Sequence, residues 1–208
     1  MRALLLDFNG TLSDDEPLLC RIFQELFAEA GKPLTEAEYY EQLAGLSDRE
    51  IIRIWLGRDD PGILARKIAR YRELADGSTV SAEAREAVRA AAEVAPVAIV
   101  SGSARAEIEP VLAAAGIDGA ITLIVSEDDV SRSKPDPEGY LIALHLLGLS
   151  GSDATAIEDS EAGVAAAKAA GLYCVAVTTT LPPDRLTAAD ELAARVDRGL
   201  ISRLVSRQ

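Results

Sequence analysis

Asp7 closes the apolar run Ala3 to Leu6 and is followed by Phe8, Asn9, Gly10 and Thr11. Far along the chain, Ser101, Gly102 and Ser103 close the run PVAIV, and Lys134 sits between Ser133 and Pro135. Glu158 and Asp159 close a third run, ATAI. Clustered carboxylates repel one another unless a cation joins them. Hard oxygen ligands that leave room for water and phosphate suit Mg²⁺. A carboxylate such as Asp7 can also attack phosphorus, forming an aspartyl-phosphate and dividing one hard step into two. Phosphoryl transfer asks mainly for positioning and charge neutralisation, which Mg²⁺ and Lys134 would supply. Backbone N–H groups of Gly10, Thr11 and Gly102 could cradle phosphate oxygens, as could a helix starting near residue 104. The Thr11 and Ser101 hydroxyls add donors, and Gly10 lets the chain approach a phosphate without a Cβ clash.

Taken singly, each residue has a plainer role. Ser101 suits an ordinary helix N-cap, Lys134 a solvated surface position, and each acid a strand or helix cap. What separates the two readings is whether the residues share one place, and that depends on the elements that carry them.

Residues 3–8 read as a buried strand bounded by Asn9-Gly10. The period then changes. Leu18, Leu19, Ile22, Phe23, Leu26, Phe27 and Ala30 share one helical face, with Pro17 at the start and Gly31 at the stop. Thr35 with Glu38, and Ser47 with Glu50, match the capping box. Residues 62–75 read as a further helix, so 16–76 forms an all-helical block. From residue 80 strands and helices alternate. Helices are predicted over 82–93, 104–115, 137–148 (with Asp136 as N-cap), 161–170 and near 187–195. Strands are predicted over 96–101, 121–126, 154–159 and 173–178. Alternation of this kind implies a doubly wound α/β fold, a mostly parallel sheet covered on both faces, with a helical insert after the first strand. Ligands of such sheets bind beyond the carboxyl ends of the strands. Asp7, Ser101–Ser103, Lys134 and Glu158-Asp159 all fall there.

The composition narrows the function classes. The chain has 208 residues, 49% apolar and 26% charged, as expected of a folded globule. Its net charge of −13 argues against nucleic acid as a partner. No apolar stretch approaches the roughly 18 residues of a membrane helix. Cys20 and Cys174 read as reduced core cysteines, which points to the cytoplasm. Dinucleotide-binding and P-loop glycine motifs are absent. The single histidine, His145, lies among leucines in a predicted helix and reads as structural, so neither a Ser–His pair nor a zinc site is available.

Four stretches in order, DFNGTLS (7–13), IVSGS (99–103), SKPDPEGY (133–140) and AIEDSEAGVAAAKAAG (156–171), resemble the motifs of the haloacid dehalogenase superfamily. DDEPLL (14–19) and AGLSDREI (44–51) are similar to the linker and cap loop of its β-phosphoglucomutase-like branch. The resemblance implies a Rossmann-like core of residues 1–13 and 80–208 and a helical cap of residues 14–79. It implies Asp7 as nucleophile and Mg²⁺ ligand, Asn9 as a ligand through its backbone carbonyl, and Asp159 with Glu158 as acidic ligands. Ser101 and Lys134 would hold the phosphoryl group, with Gly10, Thr11, Gly102 and Ser103 around it. Arg49 in the cap loop is a candidate substrate contact. The implied partner is a small phosphorylated metabolite such as a sugar phosphate, handled by a monomer or weak dimer without nucleic acid or membrane.

Position 9 departs from the pattern. The family's phosphatases and mutases usually carry an aspartate there that protonates the leaving group, a service worth about 10²–10⁴-fold. Asn9 keeps the size and the carbonyl but cannot shuttle a proton. Asp14 or Asp15 could partly substitute. The dehalogenase branch lacks the second aspartate too, but differs at Glu158-Asp159. The phosphonoacetaldehyde hydrolase branch needs a cap-loop lysine that GLSDRE (45–50) does not contain. Leu19 stands where a histidine often follows the Glu-Pro pair, which weighs against a phosphomutase cycle. Three readings stay open: a Mg²⁺-dependent phosphatase, a phosphomutase, and a catalytically weakened binder of a phosphorylated metabolite or protein partner.

Overall fold

The computed structural model describes residues 2–206. Among them, six strands form one sheet, in chain order β1 (Ala3–Leu6), β2 (Val97–Val100), β3 (Leu123–Val125), β4 (Ala154–Glu158), β5 (Tyr173–Val177) and β6 (Glu191–Ala193). Their spatial order is β3-β2-β1-β4-β5-β6, and every pairing is parallel. The chain order reverses at β1, which lies between β2 and β4. Such a switch point is where an open α/β sheet offers a crevice.

Period-2 alternation sorts the strand side chains into two cores. Leu4, Leu6, Val97, Ile99, Ile157, Val175 and Val177 face one layer. That layer includes α5 (Ala82–Ala92), α6 (Arg105–Ala115) and α9 (Arg198–Val205). Ala3, Leu5, Ala98, Val100, Ala156, Cys174 and Ala176 face α7 (Glu138–Leu147) and α8 (Glu161–Ala169). Both faces being covered explains why the strands are continuously apolar.

Four helices fill the stretch between β1 and α5: α1 (Glu16–Glu29), α2 (Glu36–Gln42), α3 (Asp48–Leu56) and α4 (Pro61–Leu74). Both capping boxes form, at Thr35/Glu38 and at Ser47/Glu50. Phe23 and Phe27 stack at 5.4 Å, and Phe27 stacks on Trp55 at 6.3 Å, which ties α1 to α3. No helix among the described residues is long and apolar enough to cross a membrane.

The last part of the chain differs from its sequence-based expectation. No helix spans 187–195; β6 pairs there with β5 and α9 follows. Alanine-rich sequence favours helix by propensity, but β5 without a neighbour would leave a row of unpaired backbone groups. The Asp190 carboxylate accepts from the Cys174 N–H at 2.8 Å and pairs with Lys168 at 2.6 Å, anchoring the edge strand. Asp197 then caps α9 by accepting from Leu200 N at 2.7 Å. At α7 the helix begins one residue later than expected. Pro137 is the N-cap, and Asp136 accepts from the Glu138 N–H at 3.0 Å. His145 is exposed on α7.

Candidate active site

The carboxyl ends of β1, β2 and β4 lie side by side. Asp7 N donates to Ile157 O at 3.0 Å and Ser101 N to Val125 O at 2.9 Å, so both residues leave the sheet in ladder geometry. Lys134 reaches into this edge. Its Nζ lies 2.6 Å from Asp7 Oδ1, 2.6 Å from Glu158 Oε1 and 2.9 Å from the Val100 carbonyl. The Tyr140 hydroxyl donates to Glu158 Oε1 at 2.5 Å, and the Thr11 hydroxyl to Asp159 Oδ1 at 3.1 Å. The solvated alternative for Lys134 therefore fails: its side chain is only 11% exposed.

One ammonium faces three carboxylates, and the protonation reflects that imbalance. Burial resists charge on Lys134, but Asp7 and Glu158 outweigh it and hold the ammonium above the ordinary lysine range. Burial pushes Glu158 up, with Lys134 pulling down and Asp7 pushing up again. Asp159 is raised by burial and then by the charges of Asp7 and Glu158. Asp7, Glu158 and Asp159 each present an oxygen within 4.8 Å of the others. Glu158 Oε2 and Asp159 Oδ2 are buried without a hydrogen-bond partner among the described residues. Orphaned buried acceptors are rare and costly. Hard oxygen donors left unpaired beside surplus negative charge fit a small divalent cation such as Mg²⁺. Gly10 is shaped to this cluster: its φ is +72°, and a Cβ there would collide with the Asp159 carboxylate.

Asn9 is built in at both ends. Its Oδ1 accepts from Ser103 Oγ at 2.6 Å, and its Nδ2 donates to Asp15 Oδ2 at 2.9 Å. Asp15 is buried, takes hydrogen bonds from the Tyr71 hydroxyl and the Gly10 N–H, and is raised by burial to about 6. The amide thus bridges the β2 loop and the start of α1. Asp14 is exposed. Ser101 is not the N-cap of α6; that position is Ala104, and Ser101 Oγ accepts from Ser103 N at 3.1 Å.

A cavity lies over these groups. Asp7, Asn9, Ser101, Gly102, Ser103, Lys134 and Asp159 form its floor. Glu16, Tyr39, Ser47 and Asp48 contribute walls from the helical block. The loop carrying Gly45 closes tightly on the sheet side: at φ +83°, a Cβ on Gly45 would fall on the Ser160 side chain. Arg49 is not brought into this cavity. Its side chain is 57% exposed and its Nε lies 3.5 Å from Glu127 Oε2, beside an outer groove shared with Arg53 and Arg132. Glu16, Tyr39, Asp48 and Tyr140 are site residues that sequence reasoning missed. For Glu16 a signal existed, an acid at the first turn of a helix whose start lies close to the end of β1.

A family model described as haloacid dehalogenase-like hydrolase matches residues 1–171. Validoxylamine A 7′-phosphate phosphatase of Streptomyces hygroscopicus subsp. limoneus is 31% identical over 198 residues, 92% of each chain. Protein CbbY of Rhodobacter capsulatus is 31% identical over 210 residues, 93% of this chain and 90% of its own. The solved structure of CbbY from Rhodobacter sphaeroides with phosphate matches at TM-score 0.81 and 27% identity, covering 94% of this chain and 95% of that one. An aspartate-to-asparagine mutant of that protein, solved with xylulose-(1,5)bisphosphate, matches equally.

Proposed function

The chain belongs to the haloacid dehalogenase-like hydrolases, and from that premise we propose that it is a Mg²⁺-dependent phosphatase of a small phosphorylated metabolite, with sugar phosphates the favoured class. One observation carries the reading. Lys134 is locked between Asp7 and Glu158 while Glu158 Oε2 and Asp159 Oδ2 stay buried and unpaired. Those oxygens, with Asp7 and the Asn9 backbone carbonyl, would hold Mg²⁺. Bound there, Mg²⁺ would neutralise the charge on the phosphoryl oxygens.

The chain's own residues do the rest. Lys134 engages Asp7 Oδ1 and leaves Oδ2 without a hydrogen bond among the described residues, available to attack phosphorus. Lys134, Ser101 and the N–H groups of Thr11 and Gly102 would hold the phosphoryl oxygens against that attack, whereas the Gly10 N–H expected to join them is taken by Ser13 O at 2.8 Å and by Asp15. The helices α1–α4, in the role of a cap, would close over the substrate and exclude water. A binder that does not turn over is the second reading, favoured by one feature: both ends of the Asn9 amide are already occupied.

The test is phosphate release with Mg²⁺ across sugar and aryl phosphates, for this protein beside its Asn9→Asp variant. Turnover that EDTA abolishes and Mg²⁺ restores is the expected result. Binding of phosphate without release by the parent, and release only by the variant, supports the binder instead. Release by neither overturns the phosphatase reading. Asn9→Asp would set a carboxylate against Asp15, so its activity should depend on a proton shared by that pair.

A further inference from the structure

We propose that Glu16 supplies the acid–base function that Asn9 lacks, protonating the leaving oxygen and then deprotonating the attacking water. The proposal rests on the phosphatase reading and deepens it. An amide is too weak an acid to give up a proton, and both ends of the Asn9 side chain are taken. The proton must come from another group bordering the cavity.

Four acids border it: Asp7, Asp159, Asp48 and Glu16. Asp7 is the proposed nucleophile and Asp159 belongs to the cluster at the strand ends. Asp48 Oδ2 is bound to the Lys67 ammonium at 2.7 Å. Asp15 lies behind Asn9 and is not part of the cavity wall. Glu16 remains, the one acid of the wall outside both the strand-end cluster and any ion pair among the described residues. It is 6% exposed. Its Oε1 accepts from the Tyr39 hydroxyl at 2.8 Å, and its Oε2 has no hydrogen bond among the described residues. The carboxyl is therefore oriented at one oxygen and unpartnered at the other.

Its surroundings match the task. The groups around it are Tyr39 and Tyr40 on α2, Cys20 one turn on along α1, its neighbour Asp15, Asp7 at the end of β1, Asp159 beyond β4 and Lys67 on α4. Burial, and then the Asp15 and Asp7 charges, raise its carboxyl to about 7, against the Tyr39 hydrogen bond and Lys67. Burial holds the Tyr39 phenol well above its usual range, so it stays a donor. A carboxyl titrating near neutrality can both give and take a proton at working pH.

The steps balance. Asp7 Oδ2 forms a bond to phosphorus as the bond from phosphorus to the substrate oxygen breaks. The departing oxygen takes the Glu16 proton and leaves as an alcohol. Water then attacks the phosphorus of the aspartyl-phosphate and passes a proton to the Glu16 carboxylate. Phosphate departs, and both carboxyls return to their starting states.

The test compares Glu16→Gln with the parent on an alkyl phosphate, such as a sugar phosphate the parent hydrolyses, and on 4-nitrophenyl phosphate. Loss of acid–base help should lower kcat on the alkyl ester by about 10²–10⁴-fold. Nitrophenolate leaves without a proton, so a rapid burst of one nitrophenol per enzyme should survive while the later hydrolysis slows. The decline of kcat above neutral pH should vanish in the variant. Asn9→Asp added to Glu16→Gln should restore activity. Parental kcat in Glu16→Gln overturns the proposal, as does equal loss of the burst and of alkyl turnover, which marks a structural role. If the parent hydrolyses nothing, the phosphatase reading fails and takes this proposal with it; if the parent is active and Glu16→Gln matches it, only this proposal fails.

Discussion

Two lysines in this molecule, one buried and one largely so, have nearly the same surroundings. Lys134 sits 2.6 Å from Asp7 and 2.6 Å from Glu158, with the Tyr140 ring 5.5 Å from its Nζ. Lys67 sits 2.7 Å from Asp48 and 2.9 Å from Glu107, with the Tyr71 ring at 5.2 Å. The difference is in what is left over. The Lys67 cluster leaves no orphaned buried oxygen among the described residues. Burial pushes Glu107 up to about 8, with Lys67 pulling it down and Asp48 pushing up again. The Lys134 cluster adds a third carboxylate and strands two acceptors. A closed ion cluster joins parts of a fold, here α3 and α4 to α6. An open one at a strand edge implies something still to bind.

If that contrast is sound, breaking the closed cluster should cost stability that no ion can return. Lys67→Met leaves Asp48 and Glu107 buried without their cation. Removing one partner of a buried pair costs about 3–5 kcal/mol. Urea unfolding should show a loss of that size, unchanged by Mg²⁺, and Lys67→Met with Glu107→Leu should recover much of it. A single variant as stable as the parent would break the comparison on this side.

Breaking the open cluster should act on chemistry instead. On the proposed function Lys134→Met removes a charge that would face the phosphoryl group, and such donors are worth about 10²–10³-fold in kcat. It also leaves Asp7, Glu158 and Asp159 with no cation of their own. The melting temperature of Lys134→Met should therefore rise more on adding Mg²⁺ than that of the parent, whereas Lys67→Met should show only the parental rise. Equal rises in all three proteins would show that Lys134 does not compete with the ion, and no rise in any of them would show that the unpaired oxygens are not a cation site.

The same contrast explains what could be seen in the sequence. The open cluster was legible because its acids end apolar runs, the sheet topology gathers such ends at one edge, and Lys134 lies in the loop that follows another of those runs. The closed cluster was not. Lys67 lies in a helix among Arg66, Arg70 and Arg72, and Glu107 in a helix with Glu109, where charges ordinarily face water. Only the packing of α4 against α6 buries them. The partners of Asn9 were hidden for a related reason: Ser103 is 94 residues away, and nothing local marks it as a donor to position 9. At residues 191–193 alanine-rich composition pointed to helix, and an unfilled sheet edge decided for strand.

Arg49 is the ion pair between these extremes and carries the smallest expected effect. Its side chain is mostly in water, while Glu127 is buried and keeps Oε1 unpaired. Burial, and then the Asp48 charge, raise Glu127 to about 7, and Arg49 opposes that rise. A half-solvated pair at 3.5 Å should be worth no more than about 1 kcal/mol, so Arg49→Ala should unfold within that margin of the parent. Function gives the sharper readout. If Arg49 contacts the substrate once the cap loop moves, Arg49→Ala should raise KM and leave kcat unchanged, the pattern of lost uniform binding. A KM equal to the parent's would remove Arg49 from the substrate site and leave it as a surface partner of Glu127. Neither result resembles that of either lysine, because a cation that water can still reach neither holds the fold together nor leaves a charge stranded when it goes.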